Sequence, residues 1–194
     1  ETGTVGTGLA HIEKKQPMTT ECRMLAASIG KTFVAATTLA LAKEGVLTLD
    51  DPLSKWLGDK HWYSRLPNGK NITLRHLLTH SAGLPDHVET KDFVQLFSFN
   101  NFQENHTCIP ELLVGFILNQ PPLFEAGKGW HYTDTGYILL GLVIEKATGN
   151  NYYNEVDRRF LKPLNLYQTV PSDHREIPFL VAGYTTENNL FHLP

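Results

Sequence analysis

Ser28 and Lys31 stand three residues apart in the stretch Ser28-Ile29-Gly30-Lys31. A serine hydroxyl is a weak nucleophile at neutral pH and needs a base beside it. An amine three positions further along a helix projects from the same face and can share a hydrogen bond with it. The spacing alone is better explained by a serine that caps a helix and a lysine in solvent. The surroundings favour chemistry, because Lys31 opens an otherwise apolar helical stretch where an ammonium without a partner is costly.

Tyr132-Thr133-Asp134 is the second candidate, in a loop ahead of another apolar segment. A phenol held near a lysine ammonium can act as a general base, and a carboxylate nearby can fix that lysine or orient a substrate. Taken alone, Tyr132 is better read as a loop anchor and Asp134 as a helix cap. Both roles are compatible for Asp134.

Other patterns are weaker. Gly30-Lys31-Thr32 resembles the end of a phosphate-binding loop, but that motif needs glycine where Leu25 stands. No serine has glycine two positions away on both sides, so the strand-to-helix elbow of α/β-hydrolases is absent. Gly6-Thr7-Gly8 is too short for dinucleotide binding. His76 and His80 are four apart and could share a metal, but no third ligand stands at a recognised spacing. They read instead as structural histidines that satisfy buried backbone carbonyls beside a turn, and neither metal nor cofactor is expected.

The elements that must position these residues follow from periodicity. Residues 4–18 predict an edge strand or hairpin. A well-buried helix begins at or just before Ser28 and ends at Gly45. Val46 to Pro52 form a turn, with a short helical segment from Pro52 toward Leu57. Thr73 is an N-cap for a helix over Leu74 to His80, stopped by Ser81-Ala82-Gly83-Leu84-Pro85. Residues 86–106 predict loops and one short helix. Pro110 starts a helix that ends by Pro121-Pro122. A strongly apolar helix spans Gly136 to Thr148 with Gly149 as its cap, and a last one runs from Asn151 to Leu161.

Composition sets the class. The 194 residues are 41% hydrophobic and 19% charged, as in a folded globular chain. Seventeen basic against twenty acidic residues give a net charge of -3, with no nucleic-acid footprint. No uninterrupted apolar run of about 18 residues exists, so no transmembrane segment is expected. Cys22 and Cys108 fit two free buried thiols as well as one disulfide. Asn71-Ile72-Thr73 and Asn105-His106-Thr107 are formal glycosylation sequons. The chain opens Glu1-Thr2-Gly3 with no initiator Met and no basic segment ahead of an apolar one, so any leader is expected to have been removed. Part of residues 1–3 reads as an expression remnant.

Three segments carry a resemblance when taken in order: Ser28 to Lys31, Thr73-Leu74-Arg75-His76-Leu77-Leu78-Thr79-His80-Ser81-Ala82-Gly83-Leu84, and Tyr132-Thr133-Asp134-Thr135-Gly136-Tyr137-Ile138-Leu139-Leu140-Gly141. Together they resemble the serine β-lactamase and penicillin-binding-protein superfamily, in its class C β-lactamase and D-alanyl-D-alanine carboxypeptidase branch. The likeness runs from about Pro17 to Tyr184, and Pro163-Leu164-Asn165-Leu166 resembles the Pro-Leu-Gly segment of relatives. It implies an α+β, β-lactamase/transpeptidase-like fold, here mostly the helical subdomain with a partial antiparallel sheet. Residues 1–194 would form a single, incomplete domain of a serine hydrolase, with a C-terminal remainder expected.

The resemblance also implies roles. Ser28 would be the nucleophile, Lys31 its hydrogen-bonded partner and Tyr132 the group that passes the proton to the leaving group. The Ser28 backbone amide would supply half of an oxyanion hole. Asp134 would bind substrate, but it departs from the usual Asn, which donates to a substrate carbonyl. A carboxylate cannot donate unless protonated, and this argues against efficient β-lactam hydrolysis. The third family motif, Lys-Thr-Gly or His-x-Gly, is expected after Tyr184 and does not occur by Pro194. The implied substrates are D-amino-acid peptides, β-lactams or small esters, met in the periplasm or outside the cell. The competing reading is a non-catalytic relative that binds a ligand or partner or builds a scaffold.

Overall fold

The computed structural model describes residues 3–97, 108–174 and 176–184. A two-stranded antiparallel sheet pairs β1 (Leu9–His11) with β2 (Gln16–Pro17). Among the described residues seven α-helices follow: α1 (Gly30–Lys43), α2 (Leu53–Leu57), α3 (Leu74–Leu78), α4 (Lys91–Leu96), α5 (Pro110–Gly115), α6 (Asp134–Thr148) and α7 (Tyr152–Val156). The hairpin expected over residues 4–18 is therefore present, and the fold is mostly helical. The Asn105 sequon and Glu1-Thr2 lie outside the described residues.

Helix α6 is the hub. Helices α1, α2, α3, α5 and α7 all pack on it. Its Leu139, Leu140, Val143 and Ile144 are fully buried, among Leu41, Leu53, Leu57, Leu74, Leu77 and Ile117 from those neighbours and the segments beside them. Burying each such side chain contributes about 1.5–3 kcal/mol. The helix ends as its sequence predicts, with Gly149 in the left-handed region at φ 72° and donating to Glu145 O.

Several boundaries move. Helix α6 begins at Asp134, two residues before the expected start, because Thr133 is its N-cap and accepts the Thr135 N–H through its hydroxyl. Asp134 is thus the first helical residue and not the cap. Helix α5 stops at Gly115 and loosens into three-residue turns through Gln120, which still bury Ile117. The last predicted helix is real but changes pitch, with α7 passing into a π-helical turn over Asp157–Leu161.

Helix α1 is not well buried. Thr37, Thr38 and Leu41 face α6, whereas Leu39 on the other side is 51% exposed. Met24, Leu25 and Ile29 ahead of it are exposed too. The apolar composition that suggested full burial is spread over two faces, of which the described residues cover one. The two cysteines are free; Cys108 is exposed and Cys22 half-buried, so neither is a buried thiol.

Candidate active site

The start of α1 sets out the first two residues. A short 3-10 turn, Ala27–Ile29, leads into the helix, and Ser28 lies in it. No side chain caps either the turn or α1, so Ser28 is not a capping serine. Ala27, just before it, sits in the left-handed region at φ 47°, a conformation that costs a non-glycine residue about 1–3 kcal/mol. Ser28 is exposed. Lys31 donates to its Oγ at 3.4 Å.

The loop before α6 brings in the rest. The Tyr132 hydroxyl donates to Ser28 Oγ at 2.7 Å. Lys31 donates to Asp134 Oδ1 and forms an ion pair with it, and its Nζ lies 4.6 Å from the centre of the Tyr132 ring. Tyr137, one turn along α6, offers a second aromatic face at 5.7 Å. All four residues singled out in the sequence, Ser28, Lys31, Tyr132 and Asp134, therefore meet across more than 100 positions of chain.

The charge state of Lys31 follows from these neighbours. Partial burial pushes its ammonium down, but the hydrogen bonds to Asp134 and Tyr132 and the charge on Asp134 outweigh that, and it lies above the ordinary lysine value. It is an ammonium at neutral pH. That makes it a stabiliser of negative charge on Ser28 or Tyr132, and a poor proton acceptor.

Helix α3 and the turn after it hold the loop in place. His76 accepts the Thr73 N–H through Nδ1 at 3.3 Å, closing a reciprocal cap with the Thr73 hydroxyl. His80 adopts φ 56° and grips the tyrosine loop twice: its carbonyl accepts the His131 N–H at 2.9 Å and its Nδ1 the Thr133 N–H at 3.3 Å. Its ring stacks at 4.5 Å on Tyr132 and 5.1 Å on Tyr137. Burial and the Lys31 charge push its pKa below the usual histidine value, which keeps Nδ1 free to accept. Where carbonyl partners were expected for His76 and His80, the Nδ1 of each accepts a backbone N–H, from Thr73 and Thr133. Among the described residues, no three His, Cys, Asp or Glu side chains are grouped to hold a metal.

Asp86 escaped the sequence reading. It is 4% exposed, and its Oδ2 accepts the Asp134 N–H at 2.9 Å. Burial pushes its carboxyl up, but His87 and the backbone N–H groups of Asp134 and Val88 bring it below the ordinary aspartate value. A lone acid after Gly83-Leu84-Pro85 gives no signal until the fold brings it beneath Asp134. The turn itself needs glycine: Gly83 has φ 69°, and a Cβ there would meet Phe124 O at 2.1 Å.

The family model described as Beta-lactamase matches residues 2–190. Penicillin-binding protein 4* of Bacillus subtilis (strain 168) is 28% identical over 179 residues, covering 91% of this chain and 37% of its own length. Esterase EstB of Burkholderia gladioli is 31% identical over 172 residues, 82% of this chain and 41% of its own. Among solved structures, a D-stereospecific amidohydrolase from Streptomyces sp. superposes with a TM-score of 0.67 at 37% identity, covering 72% of this chain and 42% of that one. The chain thus spans about two fifths of the length of these relatives. With the family model matched almost end to end, and with a serine, lysine and tyrosine converging as the three quoted segments implied, the chain belongs to the β-lactamase family of serine β-lactamases and penicillin-binding proteins.

Proposed function

We propose that this chain is the helical part of a serine hydrolase that forms an acyl-enzyme through Ser28 on an amide or ester. One observation carries the reading: Ser28 Oγ lies within hydrogen-bonding reach of both Tyr132 OH, at 2.7 Å, and Lys31 Nζ, at 3.4 Å. Acylation requires Tyr132 as its phenolate, whose charge the Lys31 ammonium offsets: as Oγ attacks the carbonyl carbon, its proton passes to the phenolate oxygen and regenerates the neutral phenol. Tyr132 then hands the proton to the departing nitrogen or oxygen, and water releases the acyl group. The Ser28 amide forms one half of an oxyanion hole.

We further propose that residues 1–194 are one part of a larger domain, whose remainder carries the third motif and covers the exposed outer face of α1. The substrates are D-amino-acid peptides or amides, β-lactams or small esters, and the setting is periplasmic or extracellular, where such peptides occur. Among the described residues, no helix is long and apolar enough to cross a membrane.

The test is labelling of the native-length protein with a fluorophosphonate or a fluorescent penicillin, followed by mapping of the modified peptide. Modification at Ser28 is expected. Modification elsewhere, or none with the fluorophosphonate, overturns the reading. A Ser28→Ala variant that keeps full biological activity points instead to a binding or scaffolding role.

A further inference from the structure

Asp134 sets a carboxylate, 38% exposed at its side chain, beside the proposed nucleophile. Lys31 Nζ donates both to Ser28 Oγ and to Asp134 Oδ1, so the carboxylate lies one ammonium group away from the attacking oxygen. Its other oxygen, Oδ2, has no hydrogen-bond partner among the described residues. Asp86 stands directly beneath. Its Oδ2 accepts the Asp134 N–H, and its buried Oδ1 lies 3.3 Å from His87 Nδ1. Lys31 is thus paired with Asp134, while Asp86 sits against His87. Trp130, 68% exposed and edge-on to His80 at 6.2 Å, and the Tyr132 ring add aromatic faces that favour a cation.

Carboxylate oxygens only accept hydrogen bonds. A substrate carbonyl turned toward Asp134 sets lone pairs against lone pairs, whereas an ammonium gains a charge-assisted hydrogen bond. The reach is suitable. The carbon under attack must come within about 3–3.5 Å of Ser28 Oγ. An α-amine lies two bonds from that carbon, a separation of about 2.5 Å. An amine so placed falls within range of the open side of Asp134.

We propose that Asp134 makes this site select acyl donors bearing a free, cationic amine next to the scissile carbonyl, such as an unblocked amino acid amide or a peptide N-terminus, over their N-acylated forms and over β-lactams. The inference rests on the Ser28 acyl-enzyme reading and names its substrate class.

The experiment is fluorophosphonate labelling of Ser28 in the native-length protein, with phenylalanine amide and N-acetylphenylalanine amide as competitors, each as D and L enantiomers. The free amine of the better enantiomer is expected to halve the labelling rate at a concentration at least about tenfold below that of its acetylated form. Asp134→Asn should bring the two within about threefold, and Asp134→Glu, which keeps the charge, should retain the preference. Equal protection in the wild-type protein, protection by neither compound, or an unchanged ratio in folded Asp134→Asn overturns amine selection and leaves Ser28 acylation standing. Absence of labelling at Ser28 overturns both. The wild-type ratio decides the question alone if the variants do not fold.

Discussion

Two clusters of carboxylate and cation sit at opposite ends of the α6–α7 region, and they are built to different rules. In the first, Glu155 on α7 is 1% exposed and wholly satisfied: Oε1 accepts from Asn150, and Oε2 from Arg158 at 2.8 Å and Arg159 at 2.7 Å. Arg159 continues to Glu44 beyond the end of α1, tying that helix to α7. In the second, Asp134 and Lys31 stand beside an exposed serine, one carboxylate oxygen has no hydrogen-bond partner among the described residues, and a strained Ala27 precedes Ser28. A buried charge with both of its oxygens partnered locks helices together. A charge left half open, next to a hydroxyl and a phenol, is available to a substrate.

Variants should separate the two clusters cleanly. Ser28→Ala has the largest expected effect on chemistry: acylation is lost by a factor of at least about 10⁴, while the unfolding free energy in urea stays within about 0.5 kcal/mol, since an exposed side chain is trimmed. A Ser28→Ala protein that still forms the acyl adduct breaks the comparison. Tyr132→Phe removes only the hydroxyl, and single-turnover acylation should slow by about 10²–10⁴-fold with little change in stability.

Glu155→Ala should do the reverse. It leaves Arg159, with a side chain only 8% exposed, short of its buried partner and should lower the unfolding free energy by about 3–5 kcal/mol. Labelling of Ser28 per folded molecule should hold. The same cluster dictates an acid response. Burial pushes the Glu155 carboxyl up, but Arg159, Arg158 and Asn150 together bring it down to about 2. Its contribution is complete above the ordinary glutamate value of 4.5 and is lost as pH falls toward about 2, which urea titrations across that window will read.

The smallest effect belongs to His80. Its pKa is lowered, so the support it gives is present above 6.5 and is lost as pH falls through the folded value. Protonation of Nδ1 removes the acceptor for the Thr133 N–H and loosens the loop that carries Tyr132. Acylation should therefore decline on the acid side of pH 6.5 before global unfolding does. A rate that stays flat until the protein unfolds contradicts this role for His80.

The parts of this arrangement that were legible in the sequence are those with local causes. Thr73 caps α3, Gly45 and Gly149 end their helices in left-handed turns, and the leucines of α6 repeat at helical spacing. Ser28, Lys31, Tyr132 and Asp134 stood out as candidates because the three segments that carry them, taken in order, resemble one family; their types and spacing alone favoured structural roles. Asp86 was not legible, because its importance comes from a contact 48 residues away. The exposed face of α1 was misjudged for a related reason: apolar composition says that a surface wants cover, but not which neighbour supplies it. Asp134 gave way to Thr133 as cap because both are good capping residues and only the backbone chooses between them.

The most direct test of the central claim is the mass of the Ser28 peptide after the native-length protein is treated with a fluorophosphonate. The account predicts a phosphonyl adduct on Ser28, formed much more slowly in Tyr132→Phe and absent from Ser28→Ala. An unmodified Ser28 peptide from folded protein, or an adduct of equal yield on another residue in the Ser28→Ala variant, would contradict it.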